Sequence, residues 1–133
     1  MNTKLLMIVS ALVMAALGLA ASFVPREILI VLGSRPESLE ILLVQITGAL
    51  YLGFAMLNWM ARGSVIGGIY GRPVAFGNFM HFTVVALAML KALIAGPRPP
   101  VVIAFAVVYC IFCVGFGWVL FTPPREVARQ GDR

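Results

Sequence analysis

Acidic residues are scarce in this chain: only five of its 133 residues are Asp or Glu. None of the five falls within four long apolar runs, and no Lys or Arg does either. The runs cover residues 5–24, 41–61, 73–90 and 101–122, or 20, 21, 18 and 22 residues. Histidine occurs once, as His81, and cysteine twice, as Cys110 and Cys113. The acids are Glu27, Glu37, Glu40, Glu126 and Asp132. With every acid outside the runs, there is no buried carboxylate pair for general acid–base work. Phosphate-binding loops, nucleophile elbows and zinc-protease motifs are also missing. Cysteine is confined to one run, so there is no loop disulfide framework and no inference about redox compartment.

What remains is apolar. Hydrophobic residues make up 62% and charged residues 11%, against about 45–50% and about 25% in soluble proteins. A hydrocarbon core about 30 Å thick takes roughly 20 apolar helical residues. Only helices or closed barrels satisfy their backbone there, and these runs lack the alternation of a barrel strand. The expectation is an all-α membrane protein of one domain, a four-transmembrane-helix bundle with spans near 5–24, 41–61, 73–95 and 101–122. The third span is extended past its uncharged part because Lys91 can snorkel outward along its stem. The first run has Lys4 and a small-residue patch at 18–21, as a signal peptide would. At 20 residues it exceeds the usual 7–15-residue apolar region, so it reads as an anchor.

Net charge is +5, but the basic residues sit at span ends and in loops. They read as topology signals and headgroup contacts, not as a nucleic-acid surface. Lys4, Arg62, Arg72, Arg125, Arg129 and Arg133 share one side of the membrane. Arg26, Arg35, Lys91 and Arg98 share the other. The bias favours both termini in the cytoplasm, with residence in a bacterial inner membrane.

Between the first two spans, residues 25–33 are apolar but too short to cross. They predict a short interfacial helix begun by Pro25 and stopped by Gly33. Ser38 is the expected cap of the second span, with Ile41 at N3 where a capping box would carry Glu or Gln. The second connection is rich in glycine, with Gly63, Gly67, Gly68 and Gly71. The third, from Gly96 to Pro100, is a stiff turn whose prolines open the fourth helix.

Polar residues within a span are costly and usually face the bundle interior. At about 100° per residue, Thr47, Tyr51, Ala55, Asn58 and Arg62 fall in one sector about 80° wide, flanked by Gly48, while Gln45 points elsewhere. Gly77, Asn78, His81, Val85, Ala88 and Ala92 share a face of the third span about 100° wide. Ala106, Cys110, Cys113 and Gly117 share one of the fourth about 60° wide. Two readings follow. Either Tyr51, Asn58, Asn78 and His81 bind the helices to one another, or they line a pocket for a lipophilic molecule such as a quinone, lipid or pigment.

A single imidazole suits one chlorophyll-type pigment or a five-coordinate haem, and Gly77 would leave room for a flat macrocycle. A bis-histidine haem would need a second histidine from another chain. A hydrogen-bonded core histidine is the plainer reading of His81. Cys110 and Cys113 have the C-x-x-C spacing but sit mid-span, away from a helix start, and read as small packing residues. With His81 they would offer at most three metal ligands, so no metal site is expected. Gly71-Arg72-Pro73 opens the third span. Arg72 there, with Arg62, is either a site for an anionic lipid headgroup or a simple positive anchor.

Gly48, Tyr51, Gly53, Asn58 and Arg62, followed by Gly67, Gly68, Tyr70, Arg72, Pro73, Gly77 and Asn78, form a block that resembles small four-span bacterial proteins of the broad DoxX-like kind. The likeness covers the middle half of the chain and lies in layout. It implies a four-helix bundle and places no catalytic residue. The expected role is non-catalytic: a small integral protein packed against a larger membrane complex or against copies of itself, in contact with membrane lipids.

Overall fold

The computed structural model of the protein describes residues 2–63 and 71–122. It is all-α, with no strand among the described residues. Among the described residues, five helices run in the order α1 (Thr3–Phe23), α2 (Pro25–Val31), α3 (Ser38–Ala61), α4 (Arg72–Ala95) and α5 (Pro100–Phe121). All but α2 are long and apolar enough to cross a membrane, and the chain is an integral membrane protein. The observed helices match the expected spans to within a few residues, and the short helix lies between the first and second. The glycine-rich stretch with Gly67 and Gly68, and the tail carrying Arg125, Glu126, Arg129, Asp132 and Arg133, fall outside the described residues.

The ends follow from local chemistry. Asn2 caps α1: its side-chain oxygen accepts from the Leu5 N–H at 3.3 Å, and its carbonyl accepts the first helical bond from Leu6. Val24 leaves helical geometry at φ −129°, ψ 46° because the proline ring that follows clashes with a helical predecessor. Pro25 then opens α2, where its missing N–H costs nothing. Gly33 ends α2 at φ 83°, a left-handed conformation that glycine adopts freely. Its N–H donates to the Ile30 carbonyl, and the Ser34 N–H donates to that of Leu29, both at 2.9 Å. These two bonds constitute a Schellman motif.

The start of α3 differs from expectation. The first helical bond runs from the Ile41 N–H to the Glu37 carbonyl, so Glu37 is the cap and Glu40 stands at N3. The Glu40 carboxylate reaches back to the Glu37 N–H at 3.4 Å and accepts from the Ser34 hydroxyl at 3.0 Å. Half of a capping box is therefore present, one residue earlier than Ser38 would place it. At the other connection, Pro99 is held extended at φ −60°, ψ 135° by Pro100. Arg98 donates from Nε to the Leu93 carbonyl in the last turn of α4, at 3.1 Å. That arginine is thus a helix-end donor as well as a basic loop residue.

The helices fall into two compact units: one is Met7–Met60, and the other joins Met1–Leu6 to the chain from Ala61 onward. In the first unit, α1 and α3 run antiparallel and approach to backbone contact. A Cβ on Gly18 would lie 2.8 Å from Leu52 Cγ and 2.9 Å from its backbone nitrogen. A Cβ on Gly48 would lie 2.6 Å from Ser22 Oγ and 2.8 Å from the Ser22 nitrogen. Two glycines facing each other's helix remove the side-chain layer that would otherwise separate the backbones. Gln45, expected to point away, donates from Nε2 to the Ser22 carbonyl at 3.5 Å in the same seam.

In the second unit, α4 and α5 are joined by aromatic rings. Phe82 is fully buried and stacks on Phe112 and Phe116, with centroids at 4.8 and 5.6 Å. It meets Tyr109 edge-on at 5.3 Å. Gly117 gives Phe79 its place, since a Cβ there would meet that ring at 3.1 Å. The Phe79 ring continues to Phe121 at 5.8 Å. Edge-to-face and offset pairs of this kind are favoured beyond their area alone.

Candidate functional site

The first unit holds Tyr51 and Asn58, and the second holds Asn78 and His81. Asn58 is fully buried on α3. Its Nδ2 donates to Ser10 Oγ on α1 at 3.1 Å. Ser10, also fully buried, donates in turn to its own helix at the Met7 carbonyl, 3.0 Å away. This relay ties α3 to α1 through a hydroxyl that accepts from Asn58 and also donates to a local carbonyl. Tyr51 lies two turns earlier on α3, half-buried. Thr47, expected on the same stripe, is exposed, and its hydroxyl donates to the Leu43 carbonyl at 2.8 Å. The contact face is centred on Gly48, Ala55 and Asn58, because only glycine lets the Ser22 backbone come so close.

On α4, Asn78 is fully buried and donates from Nδ2 to the Val74 carbonyl one turn back, at 2.9 Å. His81 is half-buried. Its ring lies 5.2 Å from Phe82 and 5.8 Å from Tyr109, centroid to centroid. The buried face of α4 is Ala75, Asn78, Phe82 and Ala86, whereas Ala88 and Ala92 are exposed. The face is therefore turned by about a quarter of a revolution from the small-residue stripe.

The same holds for α5. Tyr109, Phe112, Gly115, Phe116, Gly117 and Val119 are buried. Cys110 is exposed, and Cys113 is only partly covered. Cys113 Sγ and Thr83 Oγ1 share a hydrogen bond of 3.1 Å between the two helices, so only one of the two cysteines packs inside. Among the described residues, no three His, Cys, Asp or Glu side chains come together.

Arg62 follows α3 in a turn and is half-buried, while Arg72 is the first residue of α4 and is exposed. Arg72 forms one wall of a shallow cleft of about 510 Å³, completed by Pro73, Phe76, Leu120 and Phe121. The start of α4 and the end of α5 supply all five residues.

Four residues central to the helix pairs escape a reading of polar stripes: Ser10, Gly18, Phe82 and Tyr109. Ser10 and Gly18 carried a usable signal. With Met7, Ala11, Met14 and Ala21 they recur at helical spacing along α1. Tyr109 carried one as well, since its hydroxyl is a polar group within a span, as that of Tyr51 is. Phe82 carried none, since a large apolar ring is unremarkable there.

Comparison with known proteins finds no matching family model, no matching curated protein and no matching solved structure.

Proposed function

We propose that this chain is a small non-catalytic membrane protein that serves as an accessory or structural subunit of a larger membrane assembly. The observation that carries this reading is how the polar groups of its spans are used. Asn58 and Ser10 hold α1 to α3, Thr83 and Cys113 hold α4 to α5, and Asn78 bonds its own helix. These are packing roles. The α3 helix adds a second point. Only Gly48, Ala55 and Asn58 of α3 are buried, against six residues of α1, so a long apolar face with Leu43, Ile46, Leu50 and Leu57 is open to lipid or to another protein. The layout around Gly48, Asn58 and Asn78 supports kinship with the DoxX-like four-span proteins. The basic residues at the span ends support residence in a bacterial cytoplasmic membrane with both termini inside.

The test is purification of the tagged chain from native membranes in mild detergent, with chemical cross-linking and blue-native electrophoresis. The expected result is migration in a species larger than one chain, with a stoichiometric membrane-protein component. A lone chain that turns over a substrate would overturn the reading.

A further inference from the structure

We infer that the cleft between the start of α4 and the end of α5 is a site for one anionic phospholipid, with its phosphate on Arg72 and an acyl chain along Phe76, Leu120 and Phe121. The cleft has two chemically distinct ends. Arg72 supplies a guanidinium with several donors and no acceptor, and it is exposed. Phe76 and Phe121, residues 54% and 74% exposed, supply aromatic rings, and Leu120 lies beside them. A charge at the mouth and an apolar trough behind it match a molecule with an anionic head and a hydrocarbon tail.

Among the described residues, the unit that holds Arg72 contains no Asp or Glu. The acids among the described residues are Glu27, Glu37 and Glu40, and all three belong to the other unit. The guanidinium at the mouth of the cleft is complementary in charge and geometry to a phosphate. The depth is suitable as well. Arg72 begins one span and Phe121 ends the next, so the cleft opens where headgroups meet acyl chains. Its volume of about 510 Å³ falls within the roughly 300–1,000 Å³ of small-ligand sites. The trough is part of the fold, because Phe121 is held by the Phe79 ring at 5.8 Å and Phe79 is seated against Gly117. The site requires only the helix pair α4–α5, so it holds whether or not the chain belongs to a larger assembly.

The experiment is native mass spectrometry of the full chain, released from a neutral detergent containing equal amounts of phosphatidylglycerol and phosphatidylcholine. Unaltered protein should retain phosphatidylglycerol in preference. Arg72→Gln should lower that retention about fivefold, as expected for one basic residue at an anionic surface, and Arg72→Lys should keep most of it. Phe76→Ala should lower it with the arginine in place. Arg26→Gln, an exposed charge in the other unit, should change nothing. Glycerol 3-phosphate, which has the phosphate without the chains, should fail to displace the lipid. That competition uses the unaltered chain and so decides even if a variant does not fold. Equal retention by Arg72→Gln and the parent, an equal loss in Arg26→Gln, or displacement by glycerol 3-phosphate would each overturn the assignment.

Discussion

Asn58 on α3 and Ser10 on α1 meet across 3.1 Å at a point where both side chains are fully buried. The donor is an amide, and the acceptor is a hydroxyl already turned to the Met7 carbonyl. Interhelical hydrogen bonds in membranes average about 0.6 kcal/mol, because the separated helices also find partners. Asn58→Leu and Ser10→Ala should each destabilise the α1–α3 pair by about 1 kcal/mol. The double variant should cost about 0.6 kcal/mol less than the two losses added. Steric-trap or detergent-titration unfolding in bicelles measures all three. Strict additivity would show that the bond contributes nothing to pairing.

Gly18 and Gly48 set the distance between the same helices. A methyl group at either would press on backbone atoms at 2.8–2.9 Å, and backbone cannot rotate away. Gly18→Ala and Gly48→Ala should each cost about 2 kcal/mol, within the range for overpacking. Gly53 lies in the same helix as Gly48 and has nothing within 4 Å of a built Cβ. Gly53→Ala should therefore stabilise α3 by about 0.5 kcal/mol through backbone entropy. The opposite signs at two glycines five residues apart are the check, read from the same unfolding assay.

Phe82 is the ring on which α4 and α5 converge. In water, Phe→Ala in a core costs about 3–5 kcal/mol, part of it transfer from solvent. Lipid removes that part, because acyl chains are as apolar as the side chain. The cavity and the lost ring contacts remain, so Phe82→Ala should cost about 2 kcal/mol. Trp118→Ala, on the exposed side of α5 at 62% exposure, should cost less than about 0.5 kcal/mol. Equal effects at the two positions would mean that the ring cluster does not hold the pair.

Gly33 closes α2 at φ 83°. Any other residue there pays roughly 1 kcal/mol for the left-handed conformation. Gly33→Ala should loosen the two bonds from Gly33 and Ser34 to Ile30 and Leu29. Faster amide exchange at those two donors, with α1 unchanged, is the expected readout.

The proposed orientation, with both termini in the cytoplasm, rests on the basic-residue bias. A phosphatase reporter fused after Arg133 should then be inactive and a fluorescent cytoplasmic reporter active. Periplasmic phosphatase activity from the fusion would reverse the assignment.

The sequence by itself determined the number of spans, their limits and the short helix between the first two. Lipid offers backbone groups no hydrogen-bonding partners, so an uncharged run near 20 residues has one stable conformation. Prolines at 25, 73 and 100 and the glycine at 33 mark helix ends through φ restriction alone, without help from neighbours. Which face of each helix turns inward was decided only in the tertiary structure. In a soluble helix the apolar stripe points to the core, because water rejects it. In a membrane both faces are apolar, and the signal is lost. Shape complementarity then decides, through close glycine approach at Gly18 and Gly48 and through interlocked rings around Phe82. Small polar residues therefore located the seam of α3 nearly correctly, with Asn58 inside it. They misplaced the seams of α4 and α5, where large rings do the packing and the cysteine and alanine stripes are partly left to lipid.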